Sequence, residues 1–207
     1  MSLDDWHLVF VSACLVLILA ACAPVVMALL PSRKEPFMAL ALLGEDGMAE
    51  HYYPDDVPQI KAGEEIRWTV YLYNHMGETK YVAVRVKFLN STTLAPNSTS
   101  CSPCSAPVVY EVRRVIMDNQ TLLFPFMWSI LKVERVGDFL DVSSFSINGD
   151  SIDMHLVALY GFNYRFIYEL FVYNEDLEDF RFGWRYGDEL RCAWNQIWFN
   201  VTSPISR

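Results

Sequence analysis

Ile66-Arg-Trp-Thr-Val-Tyr-Leu-Tyr73 alternates so that Ile66, Trp68, Val70 and Leu72 fall on one face and Arg67, Thr69, Tyr71 and Tyr73 on the other. A period of two is the mark of a strand with one side in a core and the other in water. Asn74-His-Met-Gly77-Glu78 follows as a turn, and Lys80-Tyr-Val-Ala-Val-Arg-Val-Lys-Phe88 alternates again, with Val82, Val84, Val86 and Phe88 on one side. The two segments are expected to pair as a hairpin. Working outward, residues 37–43, 108–117, 142–147, 164–173 and 191–201 read as further strands, and Asn148-Gly149 as a hairpin turn. After residue 36, only 153–159 suits a short helix. Short strands between turn residues, with 14% aromatic residues, imply a mainly β chain built as an antiparallel β-sandwich. Residues 37–207 are generous for one sandwich. A second β-module from about residue 131 is the alternative, and one elaborated sandwich is the favoured reading.

The segment 8–30, LVFVSACLVLILAACAPVVMALL, carries no charge. At 1.5 Å per residue, about 23 residues cover a hydrocarbon core of about 30 Å. A single transmembrane helix is therefore expected there, after a short tail 1–7 and before a linker 31–36. A signal peptide would want a basic start and a shorter apolar core, whereas this chain begins Met1-Ser-Leu-Asp4-Asp5. Leu19-Ala-Ala-Cys22 fits the pattern around a lipidated cysteine, but apolar sequence continues well beyond it. An apolar content of 53% and a mean hydropathy of +0.17 suit one membrane segment on a globular body.

Two signals compete over orientation. Arg33 and Lys34 after the apolar segment, against Asp4 and Asp5 before it, would place the large part in the cytoplasm. Four N-x-Ser/Thr sequons, at Asn90, Asn97, Asn119 and Asn200, point outside. Translocation of a long domain is largely indifferent to a few flanking charges. The domain is accordingly expected on the exterior of the cell membrane, with N-linked glycans at those asparagines.

Cysteine usage follows the same division. Cys14 and Cys22 lie in the apolar segment, while Cys101-Ser-Pro-Cys104 lies in a Ser/Pro-rich loop. In an oxidising compartment Cys101 and Cys104 are expected to form a local disulfide; free thiols or a bridge to Cys192 are the alternatives. A zinc site would need a second ligand pair, and a thioredoxin-like pair a strand-to-helix setting.

Chemistry is otherwise sparse. With 16 Lys+Arg against 25 Asp+Glu, the net charge is -9 and the pI about 4.8, which argues against a nucleic-acid partner. The chain has no nucleophile elbow and no glycine-rich phosphate loop. His51, His75 and His155 are scattered, and the acidic clusters at 45–46, 55–56, 150–153 and 175–179 match no calcium-loop spacing. No catalytic residue, metal or cofactor is expected. The Arg-and-aromatic end, with Phe182, Trp184, Tyr186, Trp194 and Trp198, is a candidate interaction surface; the alternative is that these rings fill the sandwich core.

The apolar segment, Ala41-Leu-Leu-Gly44-Glu-Asp-Gly47-Met-Ala-Glu50, Tyr73-Asn-His-Met-Gly77 and the closing Trp198-Phe-Asn-Val-Thr202, taken in that order, resemble an archaeal family of membrane-anchored proteins of uncharacterised function. The resemblance implies an immunoglobulin-like exterior β-sandwich behind one N-terminal transmembrane helix, and transfers no catalytic residues. The function expected is a non-catalytic, membrane-anchored cell-surface binding or scaffolding protein that acts through protein–protein contacts. Its partners would be the lipid bilayer, through 8–30, and other membrane or surface proteins. The alternative is an accessory single-pass subunit of a larger integral-membrane complex, since Ser12-Ala-Cys14 and Ala20-Ala-Cys-Ala23 permit close helix packing.

Overall fold

The computed structural model describes residues 3–29 and 35–202. The chain divides into two units, Met1–Glu35 and Pro36–Arg207. The first is helix α1 (Leu3–Leu29), 27 residues long. It begins four residues ahead of the tail's expected end, so the expected tail 1–7 is helical from Leu3. Side chains along it are described for 6–7 and 9–22, and the span expected at 8–30 extends past them. Among the described residues, no helix is long and apolar enough to cross a membrane. The linker expected at 31–36 lies, apart from Glu35 and Pro36, outside the described residues.

The second unit is built from β1 (Phe37–Leu43), β2 (Gln59–Lys61), β3 (Glu65–His75), β4 (Lys80–Leu89), β5 (Tyr110–Ile116), β6 (Thr121–Val136), β7 (Phe139–Ile147), β8 (Asp150–Leu159), β9 (Tyr164–Asn174), β10 (Asp179–Phe182), β11 (Trp184–Tyr186), β12 (Glu189–Arg191) and β13 (Trp194–Thr202). One sheet runs β1-β3-β6-β7-β8 and the other β2-β13-β9-β4-β5, with β10 beside β9 and β11–β12 as a short ribbon. The named strands pair antiparallel except β2 with β13. Two such sheets, with connections passing between them, make an immunoglobulin-like β-sandwich.

Aromatic side chains from both sheets meet in one core. Trp68 of β3 lies 6.1 Å from Phe166 of β9, Phe126 of β6 lies 5.2 Å from Tyr168 of β9, and Trp128 of β6 lies 4.7 Å from Phe199 of β13. Each such pair contributes about 0.5–1.5 kcal/mol beyond the area it buries. Val142, Phe145 and Ile147 of β7 belong to the same core. There is therefore one sandwich, and no second module starts near residue 131.

Two expectations give way to tertiary context. β3 and β4 do not pair: β3 lies between β1 and β6, and β4 between β5 and β9. Their connection crosses from one sheet to the other around Asn74, a buried side chain. Its Nδ2 donates to Glu78 O at 2.8 Å and Ile116 O at 3.0 Å, and its Oδ1 accepts the Met76 N–H at 3.0 Å. A corner held from inside needs no hairpin turn. Residues 153–159 are strand, because β8 pairs with β7 through the Asn148-Gly149 turn, where φ is 49° and 92°.

Candidate functional site

The aromatic end does not form one exposed surface. Phe182 and Trp184 are buried, Phe182 against Phe171 at 5.4 Å and Trp184 in the main core. Trp194 is half-buried, and its indole N–H donates to Ser98 Oγ at 3.0 Å. Tyr186 and Trp198 are exposed but separately covered, by the guanidinium of Arg191 at 4.7 Å and of Arg165 at 4.3 Å. The core alternative therefore holds for Trp184, while Phe182 is buried in a separate small cluster with Ala83, Cys101 and Phe171. β10 pairs alongside the end of β9, and Gly183, between β10 and β11, bridges to Phe171 of β9.

The exposed apolar surface lies elsewhere. In the first sheet Val136 pairs with Phe139, and Phe139 with Leu159, so the three side chains form a row across β6, β7 and β8. The next pair inward, Leu140 and Ala158, is buried. By alternation the row therefore points to solvent. Exposure along it and across the adjoining Val157, Tyr160 and Phe162 runs from 46% at Phe139 to 60% at Val136. Gly161 holds the β8–β9 turn at φ 77°, and a Cβ there would stand 2.2 Å from Val201 O. Beside the row, β8 pairs with β7 alone. This surface is at the far end of the sheet from Phe37: β6 starts at Thr121 beside Tyr73, near the Phe37–His75 pair, and runs the length of the sheet to Val136. Sequence reasoning missed it because β6 carries Pro125 and lacks clean alternation.

A cleft of about 510 Å³ lies between the loop that follows β1 and the start of β3, lined by Glu45, Asp46, His51, Tyr52, Asp56 and Arg67 among others. Tyr52 and Tyr53 tie its wall down, donating to Leu42 O at 2.9 Å and Trp198 O at 2.6 Å. Asp46, Glu50 and His51 bring ligand atoms within 4.8 Å of one another, all exposed. His51 Nδ1 already engages Asp56 at 2.8 Å, a hydrogen bond that raises its pKa above the ordinary 6.5. These three are the described residues best placed to hold a cation.

The cysteine pair 101/104 is not joined. Both residues are free and buried, in different apolar clusters. The Cys104 N–H donates to Glu169 Oε1 at 2.6 Å and its carbonyl accepts from Lys87 Nζ, which draws it toward β4 and β9. Cys101 faces Cys192 instead. Burial, and then a hydrogen bond with Cys101, push the Cys192 thiol up to about 12.

The sequons differ in access. Asn97 is exposed, and its Oδ1 accepts the Thr99 and Ser100 N–H groups at 2.8 and 3.0 Å. Asn119 is exposed, with Nδ2 on Asp118 at 2.7 Å. Asn90 is half-buried, and its Nδ2 donates to Val157 O at 2.8 Å. Asn200 is half-buried within β13 and accepts from Asn163 N at 3.0 Å.

No protein-family model matches the chain, and no curated protein matches it. Among solved structures, it is similar to the CARDB domain of a Pyrococcus furiosus protein in complex with di-metal ions, with 9% identity and a TM-score of 0.39 over 83% of this chain and 97% of that one. It is also similar to Spo0M, a sporulation control protein from Bacillus subtilis, with 10% identity and a TM-score of 0.36 over 81% of this chain and 50% of that one. A β-glucosidase from Listeria innocua gives 10% identity and a TM-score of 0.36, over 83% of this chain and 17% of that one.

Proposed function

We propose that this chain is a membrane-anchored, non-catalytic binding protein whose sandwich faces the exterior and docks an extended segment of another membrane or surface protein. The observation that carries the binding reading is the solvent-facing row Val136–Phe139–Leu159 beside the edge strand β8, where Asn90 Nδ2 takes the Val157 carbonyl. Contiguous exposed apolar surface is costly unless a partner covers it. An open edge strand offers backbone groups that an added strand can pair with. The segment expected to add there bears an apolar side chain for the row and basic flanks for Asp138, Asp150 and Asp153. Anchoring is supported by the uncharged run 8–30, and the exterior placement by exposed sequons at Asn97 and Asn119.

The test is purification of the full chain from membranes in mild detergent, with the wild type compared against Phe139→Asp/Leu159→Asp. A stoichiometric partner is expected with the wild type and lost with the variant, while both chains remain in the membrane fraction. A solitary wild-type protein, or a partner that the variant retains, would remove the proposal.

A further inference from the structure

Cys101 and Cys192 come from distant parts of the sequence yet lie in one small apolar cluster with Ala83, Phe171 and Phe182. Cys101 Sγ lies 3.6 Å from Ser98 O and 3.5 Å from Leu190 O, and Cys192 Sγ lies 3.8 Å from the same Ser98 O. Two thiols that share one acceptor are neighbours.

Both backbones are fixed from outside the pair. Cys101 sits in a closed turn, with Asn97 and Ser102 exchanging backbone hydrogen bonds at 2.9 and 3.1 Å. Trp194, two residues beyond Cys192, ties itself to that turn through Ser98 Oγ. On the other side, a Cβ on Gly183 would stand 2.0 Å from Arg191 O and 3.0 Å from the Cys192 Cα, so the chain before Cys192 is pressed against β10–β11. The Leu170 N–H, donating to Ala193 O at 3.0 Å, holds it from β9. Cys104, by contrast, is committed to Lys87 and Glu169.

We propose that Cys101 and Cys192 form the disulfide of the sandwich. In the cell this rests on the exterior reading, because only an oxidising compartment keeps such a bond. The oxidant is an external disulfide, either glutathione disulfide or a disulfide oxidoreductase. One cysteine attacks as thiolate and releases the first external thiolate; the second cysteine then displaces the other. Two S–H bonds and the external S–S bond are lost. One protein S–S bond forms, and the two protons and two electrons leave on two external thiols.

The experiment maps cysteines in the full chain, alkylated at the moment of membrane lysis and digested without reductant. A Cys101–Cys192 peptide, with Cys104 alkylated, is the expected result. A second sample, reduced in detergent and then incubated with glutathione disulfide, separates pairing from location. If the isolated protein is reduced but this treatment joins Cys101 to Cys192, the pairing stands and the exterior reading falls. If Cys104 is joined to either partner, or all three stay alkylable after the treatment, the proposal is overturned. Reduction of the linked protein should lower its Tm by on the order of 10 °C, since the bond closes a loop of about 90 residues. Cys192→Ser should lose that response to reductant.

Discussion

Lys87 Nζ lies 2.8 Å from Glu169 Oε2, the two side chains 5% and 0% exposed, on the neighbouring strands β4 and β9. Glu169 also accepts the Cys104 N–H, and Lys87 donates to the Cys104 carbonyl. The pair therefore draws the loop bearing Cys104 against the outside of the second sheet. Removing one member of such a pair leaves a buried charge without compensation. Glu169→Gln is expected to cost about 3–5 kcal/mol in denaturant unfolding. Lys87→Met combined with Glu169→Leu should recover most of that loss; a double variant no better than the single would show that the charges do not set the cost.

His155 Nδ1 meets Asp141 Oδ2 at 2.7 Å. The hydrogen bond and charge of Asp141 raise the histidine's pKa above the ordinary 6.5. Since the folded value is the raised one, the stabilisation is complete below 6.5 and fades as pH climbs through the folded value. The imidazole is exposed, so solvent keeps the effect small. An NMR titration of His155 should show the elevated midpoint, and Asp141→Asn should return it to the ordinary range. An unchanged midpoint in that variant would rule out Asp141 as the cause.

If the sandwich is exported, sugar should be found first at Asn97. Asn90 should remain bare in most molecules, because its amide nitrogen is already given to Val157 O. Glycopeptide mass spectrometry of the membrane-derived protein reads the occupancy of each site. Higher occupancy at Asn90 than at Asn97 would contradict the geometry.

Trp68 packs in the core against Phe126, Trp128 and Phe166, and its indole N–H reaches Tyr52 O at 2.6 Å. It thereby couples the core to the wall of the acidic cleft. Trp68→Ala is expected to cost about 3–5 kcal/mol through cavity formation. Trp68→Phe should cost less while still loosening the 44–58 loop, which hydrogen exchange at Tyr52 and Tyr53 would report.

Alternation in 66–73 made β3 legible, because one face meets the core and the other meets water. β4 alternates in sequence but is buried on both faces. The cover on its outer face comes from the loop bearing Cys101 and Cys104 and from β10, residues far off in sequence that no local pattern announces. The same blindness hid which sheet β4 joins. The Asn148-Gly149 turn was readable from its dipeptide, yet the strand it feeds looked helical in part, since a half-exposed edge tolerates mixed residues. The exposed row became visible only with register, for Val136, Phe139 and Leu159 are unremarkable until they are aligned across three strands. Likewise, the spacing of Cys101 and Cys104 suggested a partnership that Lys87 and Glu169 prevent.

The parallel contact of β2 with β13 ties the opening of the sandwich to its final strand, and β13 also completes the flank of β9. While a ribosome still holds residues 194–202, Phe166 and Trp128 lack Phe199 as a neighbour, and the second sheet stays open on one side. Closing contacts this distant in sequence is slow. Until residues 194–202 have emerged, a nascent chain would thus keep its second sheet unfinished, with aromatic surface meanwhile open to chaperones.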